Sequence, residues 1–367
     1  MDSFIKETTN QLPGYRQLSN SSAKSYSTCL NSISKLCTGE PYTNPEFLKD
    51  YDGVLSTLTE RDYKQSTVAG KIGAILVALS PRRTGVWLEG YEIVGDKYRE
   101  LFKKLKNEIK SNAEKQEKSD TDKSKWTTIK TLINIKNKIG RDLKAHGIVI
   151  GKEGITRNLF ISEKKLLQQY LVATLYTSDF TNRNVYGCME IISGDQWREI
   201  EKMESPPHKN YLVMDVVGRK RELYFQLGDT KTSMVYSLVA SPDSEPDIRV
   251  KHWKGYVKID VPDKLNKPLD LWLKYHPGVD ATGIKWLLLN TKHEPHCLGN
   301  NGLTKLITST FKSTGKNIGS TIIRKIMNSE KFGNDSKFLE KKEVAIKCGH
   351  SVQCQQLHYT KFTESKE

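Results

Sequence analysis

Residues 211–239 read YLVMDVVGRKRELYFQLGDTKTSMVYSLV, and this stretch determines the fold class that we predict. Apolar, β-branched and aromatic residues are concentrated at 211–217, 222–227 and 234–239, which predicts three strands. Two polar segments that each begin with glycine, 218–221 and 228–233, separate the strands and predict turns. Because short turns join neighbouring antiparallel strands, we expect a small antiparallel sheet.

Helical patterns lie on both sides of this predicted sheet. Upstream, apolar residues recur at helical spacing in 127–143 and 162–177. Downstream of Pro268, helices are predicted at 269–275, 303–311, 319–328 and 338–347. Helices, a meander and further helices in succession are typical of an α+β protein and not of alternating βαβ units. We therefore predict a mostly helical α+β domain over 126–367.

The first 115 residues predict a separate helical domain. Helical periodicity is found around 26–37, 47–58, 68–79 and 98–109, with Ser66 and Thr67 as a predicted N-cap of the third helix. Residues 111–125 read SNAEKQEKSDTDKSK and have Ala113 as their only apolar residue, which is typical of a linker or of a solvated helix end. The predicted boundaries are 1–115 for the helical domain, 116–125 for the linker and 126–367 for the second domain.

The composition favours a polyanionic partner. The chain of 367 residues has 58 Lys and Arg against 43 Asp and Glu, a formal net charge of +15. Such a surplus suits nucleic acid, because basic side chains release counterions when they neutralise phosphates, although it also serves solubility. The six cysteines are scattered, and neither a signal peptide nor an apolar run of roughly 20 residues is found. We expect a reducing, intracellular setting, nuclear or cytoplasmic, and no membrane partner.

The C-terminal segment 348–359 carries the first candidate site residues. It reads CGHSVQCQQLHY and places Tyr359 nine positions after His350. Upstream, Arg324 lies in the predicted helix GSTIIRKI at 319–326, with Thr321 three positions before it.

Two further basic residues follow the same order along the chain. Arg183 comes shortly after the tripeptide LYT at 175–177. Lys231 begins the tripeptide KTS in the second predicted turn, and Lys220 and Lys258 are weaker candidates for its place. Near the N-terminus, small and apolar residues recur with a regular spacing at Ser19, Ser22, Tyr26 and Leu30.

These segments resemble the tyrosine recombinases, most closely the integrases of eukaryotic viruses, virophages and related transposons. That family has a Gly-His pair nine positions before a nucleophilic Tyr, an H-x-x-R helix, an L-Y-T … P-x-R segment and a Lys in a turn of a small sheet. The chain departs from it at Thr321, which replaces the usual His, and at Thr181, which replaces Pro. The N-terminal pattern is similar to the opening of the family's core-binding domain, so the resemblance spans most of the chain.

The resemblance implies a site-specific recombinase or integrase that cuts and rejoins DNA through a 3′-phosphotyrosyl intermediate, without a cofactor or metal ion. It implies a helical core-binding domain and a catalytic domain that form a C-shaped clamp, with four protomers on two duplexes. The implied catalytic residues are Arg183, Lys231, Arg324, His350 and Tyr359, with Thr321 in the place of a sixth. Contacts with double-stranded DNA are expected from Lys24, Lys71, Lys220 and Lys325.

The chemistry of these side chains suits phosphoryl transfer. Two guanidiniums hold a phosphate bidentately and offset the charge that develops on it. A phenol with a pKa of about 10 needs a proton acceptor to become a nucleophile, and His350 is the candidate. The leaving 5′-oxygen needs a proton, for which Lys231 is the candidate donor.

Three alternatives stay open from the sequence. One is a catalytically degenerate DNA-binding protein of the same fold, which the departure at Thr321 favours. Another is a strand transferase similar to type IB topoisomerases. The third is a zinc site, but its two candidate groups do not follow the usual spacing of zinc ligands; they are Cys348, His350, Cys354 and His358, and His293, His296 and Cys297.

Overall fold

The structure is a computed structural model, and it describes residues 20–80, 87–178, 182, 184–228, 252–253, 256–290, 296–331, 341, 344–345 and 354–361. The chain divides into two compact units, Met1–Lys115 and Gln116–Glu367. Across the described ranges, none of the helices combines the length and apolarity that a bilayer crossing requires.

The first unit is a helical bundle. Its helices are α1 (Asn20–Thr38), α2 (Tyr51–Thr59), α3 (Gln65–Leu79) and α4 (Glu92–Glu114), with a 3-10 turn at Glu46–Lys49. Most of the apolar residues that recur at helical spacing face one core, and the most deeply buried include Leu30, Ile33, Leu58, Ile72 and Tyr98. The amphipathic pattern of the sequence therefore accounts for the bundle.

Two helix starts in this unit differ from the prediction. The predicted N-cap at Ser66 and Thr67 is wrong, because α3 begins at Gln65 and the amides of Thr67 and Val68 both bond to the Lys64 carbonyl. Helix α4 begins well before the predicted residue 98, since Val94 already packs in the core.

The segment 116–125 carries more structure than its polar composition predicts. It contains a short helix, α5 (Asp120–Lys125), with Ser119 accepting a hydrogen bond from the Asp122 amide as its N-cap. Asp122 is buried against a later helix of the second unit. Polarity misleads here because the buried group is a charged residue with a partner elsewhere in the chain.

The second unit is built mostly from helices. They are α6 (Ile129–Ala145), α7 (Ile161–Thr177), α8 (Gly194–Lys202), α9 (Asp263–Lys274), α10 (Gly299–Thr310) and α11 (Ser320–Lys331), followed by a π-helical turn at Gln355–Tyr359. The expectation that a helix starts after Pro268 is wrong, because Pro268 lies inside α9 while Leu265, Leu269 and Trp272 fill the core. Of the helix predicted at 338–347, only residues 341, 344 and 345 are described, and they are helical.

Five strands are found within the described residues, and they form one sheet. They are β1 (Met189–Ser193), β2 (Asn210–Val217), β3 (Lys220–Leu227), β4 (His252–Trp253) and β5 (Tyr256–Asp260), in the order β1-β2-β3-β5-β4. The predicted β2–β3 hairpin is confirmed, with Val217 opposite Lys220 and Gly218 at a φ of 64° in the turn. The strand predicted at 234–239 lies outside the described residues.

The prediction of a purely antiparallel sheet is wrong. Strand β1 pairs with β2 in parallel, whereas the other pairs are antiparallel. The cause is β1 itself, which enters the sheet beside β2 with helix α8 as the connection. The protein is thus mostly helical with a small mixed sheet, which confirms the α+β class.

The core of the second unit joins the sheet to its helices. Fully buried side chains from the sheet and from α7, α9 and α11 form one cluster, including Leu171, Tyr176, Phe225, Trp272 and Ile323. Helix α11 consequently packs against α7 on one side and against the turn Gln355–Tyr359 on another. This packing brings three sequence-distant segments together.

Candidate active site around Arg324 and Tyr359

Arg324 and Tyr359, far apart in the sequence, are in contact. The guanidinium carbon of Arg324 lies 4.2 Å from the centroid of the Tyr359 ring. Arg324 is only 2% exposed and Tyr359 only 7% exposed. Since guanidinium is costly to remove from water, an arginine this buried requires specific partners, and an aromatic face is one of them. The structure therefore unites the predicted nucleophile with one predicted phosphate-binding residue.

A chain of buried amides fixes the turn that carries Tyr359. Gln355 donates from Nε2 to Oδ1 of Asn328 at 3.0 Å. Asn328 in turn donates from Nδ2 to the carbonyl of Arg324 at 2.9 Å. Both amides are almost completely buried. The turn is thus tied to the same helical segment that presents the guanidinium.

A second attachment lies on the other side of Tyr359. The Ser329 hydroxyl accepts a hydrogen bond from the Lys361 amide at 2.8 Å and donates to the Lys325 carbonyl at 2.7 Å. It also lies 3.4 Å from the carbonyl of Tyr359. Helix α11 therefore holds Tyr359 from both flanks through two consecutive polar residues, Asn328 and Ser329.

The end of α7 approaches the same arginine. Burial raises the pKa of the Tyr176 phenol well above its ordinary value, the neighbouring Tyr186 adds to this, and the positive charge of Arg324 opposes it. Further along, Asn182 is buried, and its Nδ2 has no hydrogen-bond partner among the described residues. Asn182 directly precedes Arg183, which lies outside the described residues.

A charged group flanks the site on helix α11. The Lys325 ammonium lies 2.7 Å from both carboxylate oxygens of Asp122, and these side chains are 20% and 12% exposed. Burial raises the pKa of Asp122, but hydrogen bonding and the positive charge of Lys325 outweigh it, so the net pKa is lowered. Much of the charge of Lys325 is therefore already compensated.

His358 lies beside the candidate nucleophile in the sequence. Desolvation lowers the pKa of its imidazole, and the positive charges of Lys361 and Lys325 act in the same direction. A lowered pKa favours the neutral imidazole, which can accept a proton. The sequence places His358 in a candidate zinc group, and its position next to Tyr359 is the signal for this second interpretation.

The remaining predicted catalytic residues divide into two groups. Thr321 is exposed in the first turn of α11, one turn before Arg324. Lys258, a weaker candidate for the catalytic lysine, lies on β5 with its ammonium 4.0 Å from the ring centroid of Tyr224. The other three predicted residues, Arg183, Lys231 and His350, lie outside the described residues.

The four lysines predicted to contact DNA have different environments. Lys24 and Lys220 are exposed. Lys71 is 6% exposed, donates to the Ser32 hydroxyl at 2.8 Å and faces the Tyr63 ring at 5.1 Å, which suits a structural role better than contact with DNA. Lys325 is ion-paired as described above.

The zinc alternative gains no support from the described part of the chain. There, no group of three or more His, Cys, Asp or Glu side chains is arranged to hold a metal ion. Of the two candidate groups, His296, Cys297, Cys354 and His358 are described, whereas His293, Cys348 and His350 lie outside the described residues.

Several residues that build the site were not predicted. Asp122 lies in a stretch whose composition indicates a linker, and Gln355 lies within the segment 348–359 but matches none of the motif positions there. Asn328 lies four positions after Arg324, and this helical spacing is the one local signal that links the two.

Comparisons with protein families, curated proteins and solved structures found no similar protein. No family model matches the chain, and neither a curated protein nor a solved structure gives a match. The functional interpretation therefore depends on the chemistry and geometry of the chain itself.

Proposed function

We propose that this protein is a tyrosine recombinase, a site-specific recombinase or integrase that cleaves and rejoins DNA through a covalent 3′-phosphotyrosyl intermediate. The observation that carries the proposal is the contact between the Arg324 guanidinium and the Tyr359 ring. A phosphate bound by this guanidinium would lie close to the Tyr359 side chain, which is the geometry that phosphoryl transfer to a tyrosine requires.

In the proposed reaction, Arg324 and Arg183 bind the two non-bridging oxygens of one phosphate. The Tyr359 oxygen attacks phosphorus, forming the tyrosine–phosphate bond while the bond to the 5′-oxygen breaks. The phenolic proton passes to His350, and Lys231 supplies a proton to the leaving 5′-oxygen. A 5′-hydroxyl of a second duplex then reverses these steps, so that no external energy source and no metal ion are needed.

The resting arrangement constrains how this reaction starts. Because Tyr359 is only 7% exposed, we infer that the turn Gln355–Tyr359 moves relative to α11 when the side chain engages DNA. The contacts that would loosen are those of Asn328 with Gln355 and of Ser329 with Tyr359 and Lys361. We propose that phosphate binding at Arg324 replaces the contact with the ring and so favours release of the side chain.

The two units have separate roles in the proposed recombinase. Residues 1–115 serve as the core-binding domain and the second unit as the catalytic domain, together clamping double-stranded DNA in a C shape. Four protomers on two duplexes perform strand exchange. The surplus of basic residues, +15 over the whole chain, supports a DNA partner.

Covalent trapping on nicked DNA tests the function. Wild-type protein is expected to form a denaturant-stable adduct, and Tyr359→Phe to bind the same DNA without forming one. The matched control is Tyr42→Phe, because the Tyr42 hydroxyl is buried and makes no hydrogen bond within the described part of the chain. An adduct with Tyr359→Phe refutes the nucleophile assignment. DNA binding without an adduct in the wild type identifies a degenerate protein, and relaxation of supercoiled DNA by a monomer identifies a topoisomerase.

A further inference from the structure

Two cysteine thiols lie side by side on the surface of the second unit. The Sγ atoms of Cys188 and Cys297 are 3.5 Å apart, although the residues are 109 positions apart in the sequence. Cys188 is exposed and Cys297 is partly exposed. Because a disulfide bond is about 2.05 Å long, the sulfurs need to approach by only about 1.5 Å to become bonded.

The backbone around both cysteines holds them in register. The Gly299 amide donates to the Gly187 carbonyl at 2.9 Å, and the Leu287 amide donates to the Met189 carbonyl at 2.7 Å. The two backbones approach so closely that a side chain at Gly187 would collide with the carbonyl oxygen of Gly299 at 2.7 Å. Hydrogen bonds that immediately flank Cys188 thus fix the segments, which leaves side-chain rotation as the movement that joins the sulfurs.

We propose that Cys188 and Cys297 are a modification site at which peroxides generate an intramolecular disulfide. The thiolate of exposed Cys188 attacks one peroxide oxygen and the O–O bond breaks, which gives a sulfenic acid and a hydroxide ion. The thiolate of Cys297 then attacks the Cys188 sulfur and displaces a second hydroxide ion. The two protons that the thiols lost on ionisation convert both hydroxide ions to water. Two thiols lose two electrons in total, and one hydrogen peroxide is reduced to two waters.

The other cysteines provide internal comparisons. Burial raises the pKa of the Cys37 thiol, so Cys37 forms less of the thiolate that reacts with peroxide. The disulfide between Cys188 and Cys297 is expected because their thiols are close together and accessible to peroxide. This proposal does not depend on the proposed reaction with DNA.

Mass spectrometry of the full-length protein tests the site. The reduced protein is treated with hydrogen peroxide, alkylated and digested with trypsin, which places each cysteine in its own peptide, 184–198 and 293–305. We expect these two peptides to be linked, to be lighter by two hydrogens than their sum, and to separate after treatment with dithiothreitol. Cys37→Ser should form the same link.

A second variant separates the two steps. In Cys297→Ser the second thiolate is lost, so Cys188 should accumulate as sulfenic acid and react with dimedone. In the wild type, closing a loop of this length should raise the thermal midpoint by about 5 °C or more. Full alkylation of both cysteines after peroxide treatment would overturn the proposal, and so would a link from Cys188 to another cysteine or protection of both thiols by a bound zinc ion.

Discussion

The defining feature of the site is a single side chain, the guanidinium of Arg324. It is almost completely buried and faces the ring of Tyr359. Arg324 owes this position to its place on α11, between the fully buried side chains of Ile323 and Ile326. Its guanidinium lies over the Tyr359 ring, and a guanidinium carries parallel N–H donors at its edge, which lysine does not offer.

Arg324→Lys tests this difference. The variant keeps the charge but loses bidentate binding of the phosphate, so the single-turnover rate of cleavage on nicked DNA should fall by about 10²-fold or more. The matched control is Arg141→Lys on α6, where the arginine is exposed and the rate should stay near that of the wild type. Circular dichroism establishes that both variants are folded. A near-normal cleavage rate for Arg324→Lys would exclude bidentate phosphate binding by Arg324 as a requirement for cleavage.

His276 offers a prediction on stability. Burial lowers the pKa of its imidazole to about 4, with Lys285 acting in the same direction, whereas a hydrogen bond with the Trp286 carbonyl opposes it. Between pH of about 4 and 6.5, the unfolded chain binds more protons than the folded chain at this position. The free energy of unfolding should therefore decrease as the pH falls through this window, by roughly 3 kcal/mol at most.

Denaturant titrations across this pH range measure the effect. In His276→Gln the decrease should be smaller than in the wild type, because the titrating group is gone. His208→Gln is the control, since His208 is exposed, and its pH profile should follow that of the wild type. Parallel profiles for wild type and His276→Gln would contradict the prediction.

Among the elements, those with a regular pattern of apolar residues are predictable from the sequence, including the confirmed β2–β3 hairpin, and the others are not. Helix α11 begins one residue from its predicted start, because Ile322, Ile323, Ile326 and Met327 recur at helical spacing. The sequence does not predict strand β1, because all but its last residue are buried. Met189–Ser193 therefore shows no alternation of apolar and polar residues. Its parallel pairing with β2 depends on tertiary structure and has no local signal.

The same contrast applies to the candidate site. The motifs single out Arg324 and Tyr359, and the structure places their side chains in contact; their catalytic roles stay a prediction. The supporting groups Asp122, Asn328 and Gln355 act through partners that folding brings close, so the motifs do not single them out even where, as for Gln355, they lie within a motif segment.

The buried ion pair between Asp122 on α5 and Lys325 on α11 should contribute to the free energy of unfolding. Both side chains are mostly buried, so Asp122→Asn leaves an ammonium without its counter-charge and should lower the free energy of unfolding by roughly 3 kcal/mol. Adding Lys325→Met should recover part of this loss, which a double-mutant cycle by urea denaturation measures.

The control for this cycle is an exposed pair of similar length. Glu199 and Lys202 lie 2.6 Å apart with side chains 67% and 71% exposed, and Glu199→Gln should change stability little. Equal losses from Asp122→Asn and Glu199→Gln would show that α5 is not anchored through this pair.

For the whole molecule, the net charge of +15 makes a quantitative prediction about DNA binding. If exposed lysines contact phosphates, the logarithm of the binding constant should fall linearly with the logarithm of the salt concentration, because each contact releases counterions. Lys220 is exposed at the start of β3, so Lys220→Gln should reduce the magnitude of this slope by about 0.9 if the side chain contacts one phosphate. Lys71→Gln should leave the slope unchanged, because the Lys71 ammonium is bonded to the Ser32 hydroxyl.

Fluorescence anisotropy with labelled duplex DNA at several salt concentrations measures both slopes. Equal slopes for Lys220→Gln and the wild type would exclude Lys220 from the interface, and a binding constant independent of salt would contradict an electrostatic DNA partner for the chain as a whole.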